Sequence, residues 1–154
     1  MQKIETNYEK SNRIETVKLN SFDKTYYKKL LSCGDDVKVR NILAQSLVDY
    51  LCKKFNVMSV PIKVKNTYQP HRTNCNGKMT NKTLGRYWHC GSRPIKIEIW
   101  NKTAIKQQVI SNKVFIDTLL HEFIHHYDTV VLGLDTIHSA GFYKRISDLT
   151  NKLK

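Results

Sequence analysis

The sequence predicts an α+β fold in which helices pack on a small, mostly antiparallel sheet. Three observations predict it. Apolar residues recur at intervals of three and four over 35–55, and helical spacing returns over 111–128 and after Ser139. Between the first two stretches apolar and polar residues alternate, the period of half-buried strands. The resulting order of helix, strands, helix, helix is an α+β layout. No repeat, low-complexity run or linker divides the chain. Residues 1–34 read as a partly ordered N-terminal extension and 35–154 as one domain.

Each element has its own signal. In the first 33 residues only Phe22, Tyr26, Leu30 and Leu31, after Ser21, suggest a short helical face. Asp35 or Asp36 then caps a helix whose inner stripe is Val39, Ile42, Leu43, Leu47, Val48, Leu51 and Phe55. Val60, Ile62 and Val64 alternate with Pro61, Lys63 and Lys65 as a strand that holds its proline at the start or edge. Residues 66–82, with Pro70, Asn74, Asn76 and Gly77, read as a long basic loop. A hairpin follows: aromatic-rich 84–90, a turn at Gly91, Ser92 and Pro94, and a strand of Ile95, Ile97 and Ile99 ending at Trp100. A second helix runs from Ser111 or Asn112 to Asp128 and a third follows Ser139, with Phe142, Ile146, Leu149 and Leu153 on one face.

Composition excludes several classes. The 154 residues are 40% hydrophobic and 25% charged, enough to bury a core without disulfides or partner subunits. No segment approaches the roughly 18 apolar residues of a membrane span, and residues 1–10 carry Lys3, Glu5, Glu9 and Lys10 with no apolar run behind them. The four cysteines form no CxxC pair, so reduced thiols and a cytoplasmic location are expected. The net charge of +13 is concentrated: residues 37–110 hold fourteen Lys and Arg against Asp49 and Glu98 alone, while both ends are nearly neutral. Such an excess points to a polyanion partner, nucleic acid first, and composition alone fits a solvated basic surface equally well.

Residues 121–125 read His-Glu-Phe-Ile-His, an HExxH motif on the second helix. Histidines four apart lie about 40° apart in azimuth and roughly 6 Å apart along the axis, so both imidazoles reach one metal at about 2.0–2.1 Å. Glu122 points about 100° away, beside the metal, where a carboxylate can take the proton of a water attacking a carbonyl. A third ligand is needed. The metzincin pattern fails, because Asp128 and Val131 stand where it requires Gly and His. A downstream glutamate fails too, because Glu122 is the last one. His138 remains, with Asp128, Asp135 and Asp148 as carboxylate alternatives; twelve residues including Gly133 give the chain room to turn back. Three protein ligands and an open fourth position are the composition of a catalytic zinc site.

His121, Glu122 and His125, followed by His138 and Phe142 at the start of another helix, resemble the SprT-like zinc metallopeptidases, which include Spartan-type proteases of DNA–protein crosslinks. Leu84-Gly85-Arg86-Tyr87-Trp88 and Ile95-Lys96-Ile97 are similar to the hairpin that precedes the family's active helix. The resemblance covers about 35–150. It implies a zincin-like SprT-type domain holding one Zn2+ on His121, His125 and His138, with Glu122 as general base and proteolysis linked to DNA. His126 departs from the family's small residue, and the sixteen residues after His138 carry no further zinc-binding module.

Other residues compete for roles. His126 reads as a hydrogen-bonded helix residue, Tyr127 and Tyr143 as packing rather than oxyanion donors, and Asp117 as either an orienting partner of His121 or an exposed carboxylate. His71, Cys75, His89 and Cys90 match no standard zinc finger, though they could form a second metal site. Arg72, Lys78, Lys82, Arg86 and Trp88 are candidates for single-stranded nucleic-acid contacts, with Tyr87 facing either bases or core. The strand ending at Trp100 offers an edge for an extended substrate. The expected function is a zinc endopeptidase acting on a protein or peptide, with DNA as partner. The alternatives are a nucleic-acid-binding protein with a structural zinc and a peptidase that cleaves a regulatory protein without DNA.

Overall fold

A computed structural model describes residues 1–154 as an α+β fold of five helices and a small mixed sheet. Two short helices, α1 (Asn7–Arg13) and α2 (Thr25–Leu31), precede the long α3 (Val37–Lys54). Strands β1 (Ile62–Tyr68), β2 (His71–Thr73), β3 (Met79–Lys82), β4 (Gly85–Cys90) and β5 (Arg93–Lys102) follow, then α4 (Asn112–Val130) and α5 (Ala140–Leu153). No helix is long and apolar enough to cross a membrane.

The three long helices begin where the sequence places a cap. Asp36 accepts from the Val39 amide at 2.9 Å, Ser111 from Val114 at 3.2 Å and Ser139 from Phe142 at 3.0 Å, each relieving one unpaired amide of a first turn. On α3 the buried stripe is Ala44, Leu47, Val48 and Leu51, while Val39 and Ile42 stay exposed. Arg40 takes the inward position instead. Its guanidinium bonds Asn101 Oδ1 (2.7 Å), Asn112 Oδ1 (2.9 Å) and the Ile110 carbonyl (2.8 Å), tying α3 to β5 and the start of α4.

The sheet corrects the expectation of a mostly antiparallel one. Its order is β1-β5-β4, with β1 and β5 parallel and β4 and β5 antiparallel. The chain leaves β1, makes a separate β2–β3 hairpin and an outer strand β4, and only then inserts β5 between β1 and β4. The strand read as a substrate edge, β5, is therefore central, and β4 is free on one side. The hairpin replaces the expected loop over 66–82; its turn carries Gly77 at φ +78, and both of its faces are largely solvated, so it shows no apolar alternation.

One core of 28 residues spans the chain. Val17, Phe22, Tyr27 and Leu30, from the segment read as an extension, belong to it, and α2 packs on α3 and α4. Helix α1 carries a capping box between Thr6 and Glu9 and packs on α5. Helix α4 buries Phe115, Ile116, Leu119, Leu120, Phe123, Ile124 and Tyr127 against α2, α5, β4 and β5, which holds its remaining stripe rigidly toward a cleft.

Candidate metal centre

That stripe carries His121 and His125, one turn apart on α4. The segment after α4 turns back through Gly133, at φ +63, and delivers His138 directly before the Ser139 cap of α5. His138 Nε2 lies 3.2 Å from His121 Nε2 and 3.0 Å from His125 Nε2. These three are the one group of His, Cys, Asp and Glu residues placed to hold a metal ion, their ligand atoms all within 4.8 Å of one another. Phe142 packs on all three rings, with centroids at 5.1, 4.5 and 5.2 Å from His121, His125 and His138.

The donor set fits a cation. One ring nitrogen of His138 faces two others, and a nitrogen with a single in-plane lone pair or proton cannot make a good linear hydrogen bond to both at once, whereas a cation shared by all three satisfies every lone pair. A tetrahedral centre with bonds of about 2.0–2.1 Å has ligand–ligand edges of about 3.3–3.4 Å, close to the observed spacing. Burial pushes the His121 imidazole down to about 4 and that of His125 to about 3, with neighbouring imidazoles adding to the effect. Both are neutral at pH 7, with lone pairs available. Thr136 was not singled out from sequence. Its Oγ1 lies 2.6 Å from His125 Nδ1, so that when Nδ1 carries the ring proton Thr136 can accept it and Nε2 is left bare toward the cluster.

Glu122 turns from the metal stripe toward β4 and is 7% exposed. Burial raises its carboxyl to about 7, against the opposing pull of the Tyr87 main chain. Gly85 permits this approach: a Cβ there would lie 2.7 Å from Thr118 Cγ2 and 3.1 Å from Glu122 Cγ. The cleft beside it, about 640 Å³, is walled by residues 82–87 and His89 on one side, and on the other by Asp117, Thr118, the histidine cluster and residues 136–138.

The other candidates fall elsewhere. His126 is fully buried; its Nε2 donates to the Met58 carbonyl and its Nδ1 accepts from the Tyr87 hydroxyl, both at 3.1 Å, so it ties α4 to β4. Tyr87 thus faces the core side of the sheet. Tyr127 is buried with its hydroxyl on the Lys18 amide, and Tyr143 is half exposed with its ring 5.9 Å from that of His138. Asp117 pairs with Lys113 at 2.8 Å rather than with His121. Of the carboxylate alternatives, Asp128 is engaged by Arg145 and Asp148 by Lys152, and Asp135 is exposed, held only through its main chain by Asn7; none joins the histidine cluster. His71, Cys75, His89 and Cys90 do not converge; the two histidines bond the carbonyls of Gln69 and Gly91, and all four cysteines are free thiols. Arg72 and Lys78 are exposed on or beside the strands of the β2–β3 hairpin, and Lys82 and Arg86 reach the cleft wall. The Arg86 guanidinium sits 3.7 Å from the Trp88 ring centroid.

Comparison with protein-family models, with curated proteins and with solved structures found no match in any of the three.

Proposed function

We propose that the protein is a zinc-dependent endopeptidase with a zincin-like arrangement, similar in its site to the SprT-like metallopeptidases. The observation that carries this reading is the convergence of three imidazole nitrogens, with a buried carboxylate from the same helix in the same cleft. His121, His125 and His138 would hold the ion, one per chain. When bound, zinc is a Lewis acid that acidifies water and polarises a carbonyl. Glu122, its proton affinity raised by burial, accepts the proton of the attacking water on a carboxylate oxygen and passes it to the leaving amine nitrogen. The free edge of β4 supplies a docking strand. Leu84 accepts inward from the Trp100 amide at 3.0 Å, and the alternation of an antiparallel ladder then turns the main-chain groups of Gly85 and the Tyr87 carbonyl outward, while the Tyr87 amide faces Glu122.

The test is cleavage of a disordered protein such as casein by the zinc-loaded chain and by Glu122→Gln. Turnover should fall by about 10²–10⁴ while the metal stays bound. Equal turnover in the variant overturns the reading.

A second reading is favoured by Arg72, Lys78 and Lys82, which are exposed and have no ion pair, and by the cation stacked on Trp88: a nucleic-acid-binding protein whose zinc is structural. Salt-dependent DNA binding that weakens in Arg72→Ala and Lys78→Ala, with no proteolysis, supports it. Cleavage stimulated by DNA binding would instead support the peptidase reading with DNA as its partner, the outcome the DNA-linked family resemblance implies.

A further inference from the structure

The segment that delivers Thr136 and His138 has no secondary structure of its own, yet both residues must be held within a few tenths of an ångström to serve a metal. What holds it comes from the other end of the chain. The Asn7 amide donates to the Asp135 carbonyl at 2.9 Å and its Oδ1 accepts from the Asp135 amide at 2.9 Å, a two-point clamp on the residue next to Thr136. Lys10 donates to the Leu132 carbonyl at 3.1 Å. Ser11, fully buried, meets the Ser139 hydroxyl at 2.8 Å, next to His138. Gly141 lets the two elements touch: a Cβ there would lie 2.1 Å from the Ser11 carbonyl oxygen and 2.7 Å from that of Asn12. Side chains on one face of α1 thus grip the segment before Thr136, after His138 and at its entry.

We infer that α1 is a positioning element of the metal centre and that Asn7, through the Asp135 main chain, is a positioning residue for Thr136 and His138. This rests on the metal reading above. None of these α1 groups touches the cluster, so the effect runs through the segment's geometry. Asn7→Ala removes the clamp. Gly141→Ala keeps every α1 side chain but drives backbone against backbone and lifts α1 away.

The experiment measures Zn2+ affinity of the full chain by chelator competition, with hydrogen exchange across 131–139 in the metal-free protein. Val64→Ala, a core truncation on β1 remote from the cluster, controls for general destabilisation. Asn7→Ala and Gly141→Ala should each weaken Zn2+ binding by about tenfold or more and speed exchange over 131–139. Val64→Ala should leave affinity unchanged. Wild-type affinity and exchange in both variants overturn the inference while leaving the metal centre standing; a wild-type chain that binds no Zn2+ overturns both.

Discussion

At the scale of single residues, the cluster is prepared for a metal by what lies around it. Thr136 decides which nitrogen of His125 faces inward, so Thr136→Val should cut Zn2+ affinity by about 10–100-fold with little change in fold. Unchanged affinity by chelator competition would remove Thr136 from the site. The metal-free histidines carry a pH signature. Unfolded imidazoles titrate near about 6.5, whereas burial holds His121 at about 4 and His125 at about 3 in the fold. Below 6.5 the unfolded chain binds protons that the folded chain refuses. The histidines' contribution to the stability of the metal-free protein is therefore full above pH 6.5 and declines as pH falls toward 4, and Glu122, raised to about 7, offsets part of that decline because the fold takes up its proton first. Urea midpoints of chelator-treated protein across that range should drop progressively, and His121→Phe should flatten the decline; a flat wild-type profile contradicts the burial.

Among the elements, α4 is the frame of the site, and its far end is locked by a buried ion pair. Asp128 and Arg145, both fully buried, meet at 2.9 and 2.7 Å, and Arg145 also bonds the carbonyls of Ser11 and Ile14, joining α4, α5 and the α1 region. Burial pushes the Asp128 carboxyl up while Arg145 pulls it down. Asp128→Ala leaves an unpaired buried guanidinium and should cost about 3–5 kcal/mol, read as a fall in the denaturant midpoint; a loss below about 1 kcal/mol would show the pair to be dispensable. The elements were unequally legible in the sequence. Helices α3, α4 and α5 pair a cap with a buried apolar face. Helix α1 buries only Ser11, and the β2–β3 hairpin is solvated on both faces, so neither has a period to read. The placing of β5 between β1 and β4 depends on long-range pairing that no local pattern encodes. In the site, HExxH and His138 stood out because helix geometry and elimination act along the chain. Thr136, Gly85 and Asn7 did not, because their partners lie 11, 37 and 128 residues away, and neither a polar contact nor a close steric approach over such distances has a periodic signal.

For the molecule as a whole, one core from Val17 to Leu153 means that residues 1–34 fold with the rest. A chain beginning at residue 35 would expose the face that Phe22, Tyr27 and Leu30 cover and should lose cooperative unfolding; native-like circular dichroism and an unchanged midpoint would make the segment an appendage after all. The same single core brings three histidines, two from α4 and one from the segment just after it, together beside a free strand edge, and the whole account turns on whether they hold a metal. The most direct measurement is the zinc content of the purified, untagged chain by elemental analysis, together with His138→Ala. The account predicts about one zinc per chain, lost or strongly weakened in the variant. No zinc under non-chelating conditions, or equal zinc in the variant, would contradict it.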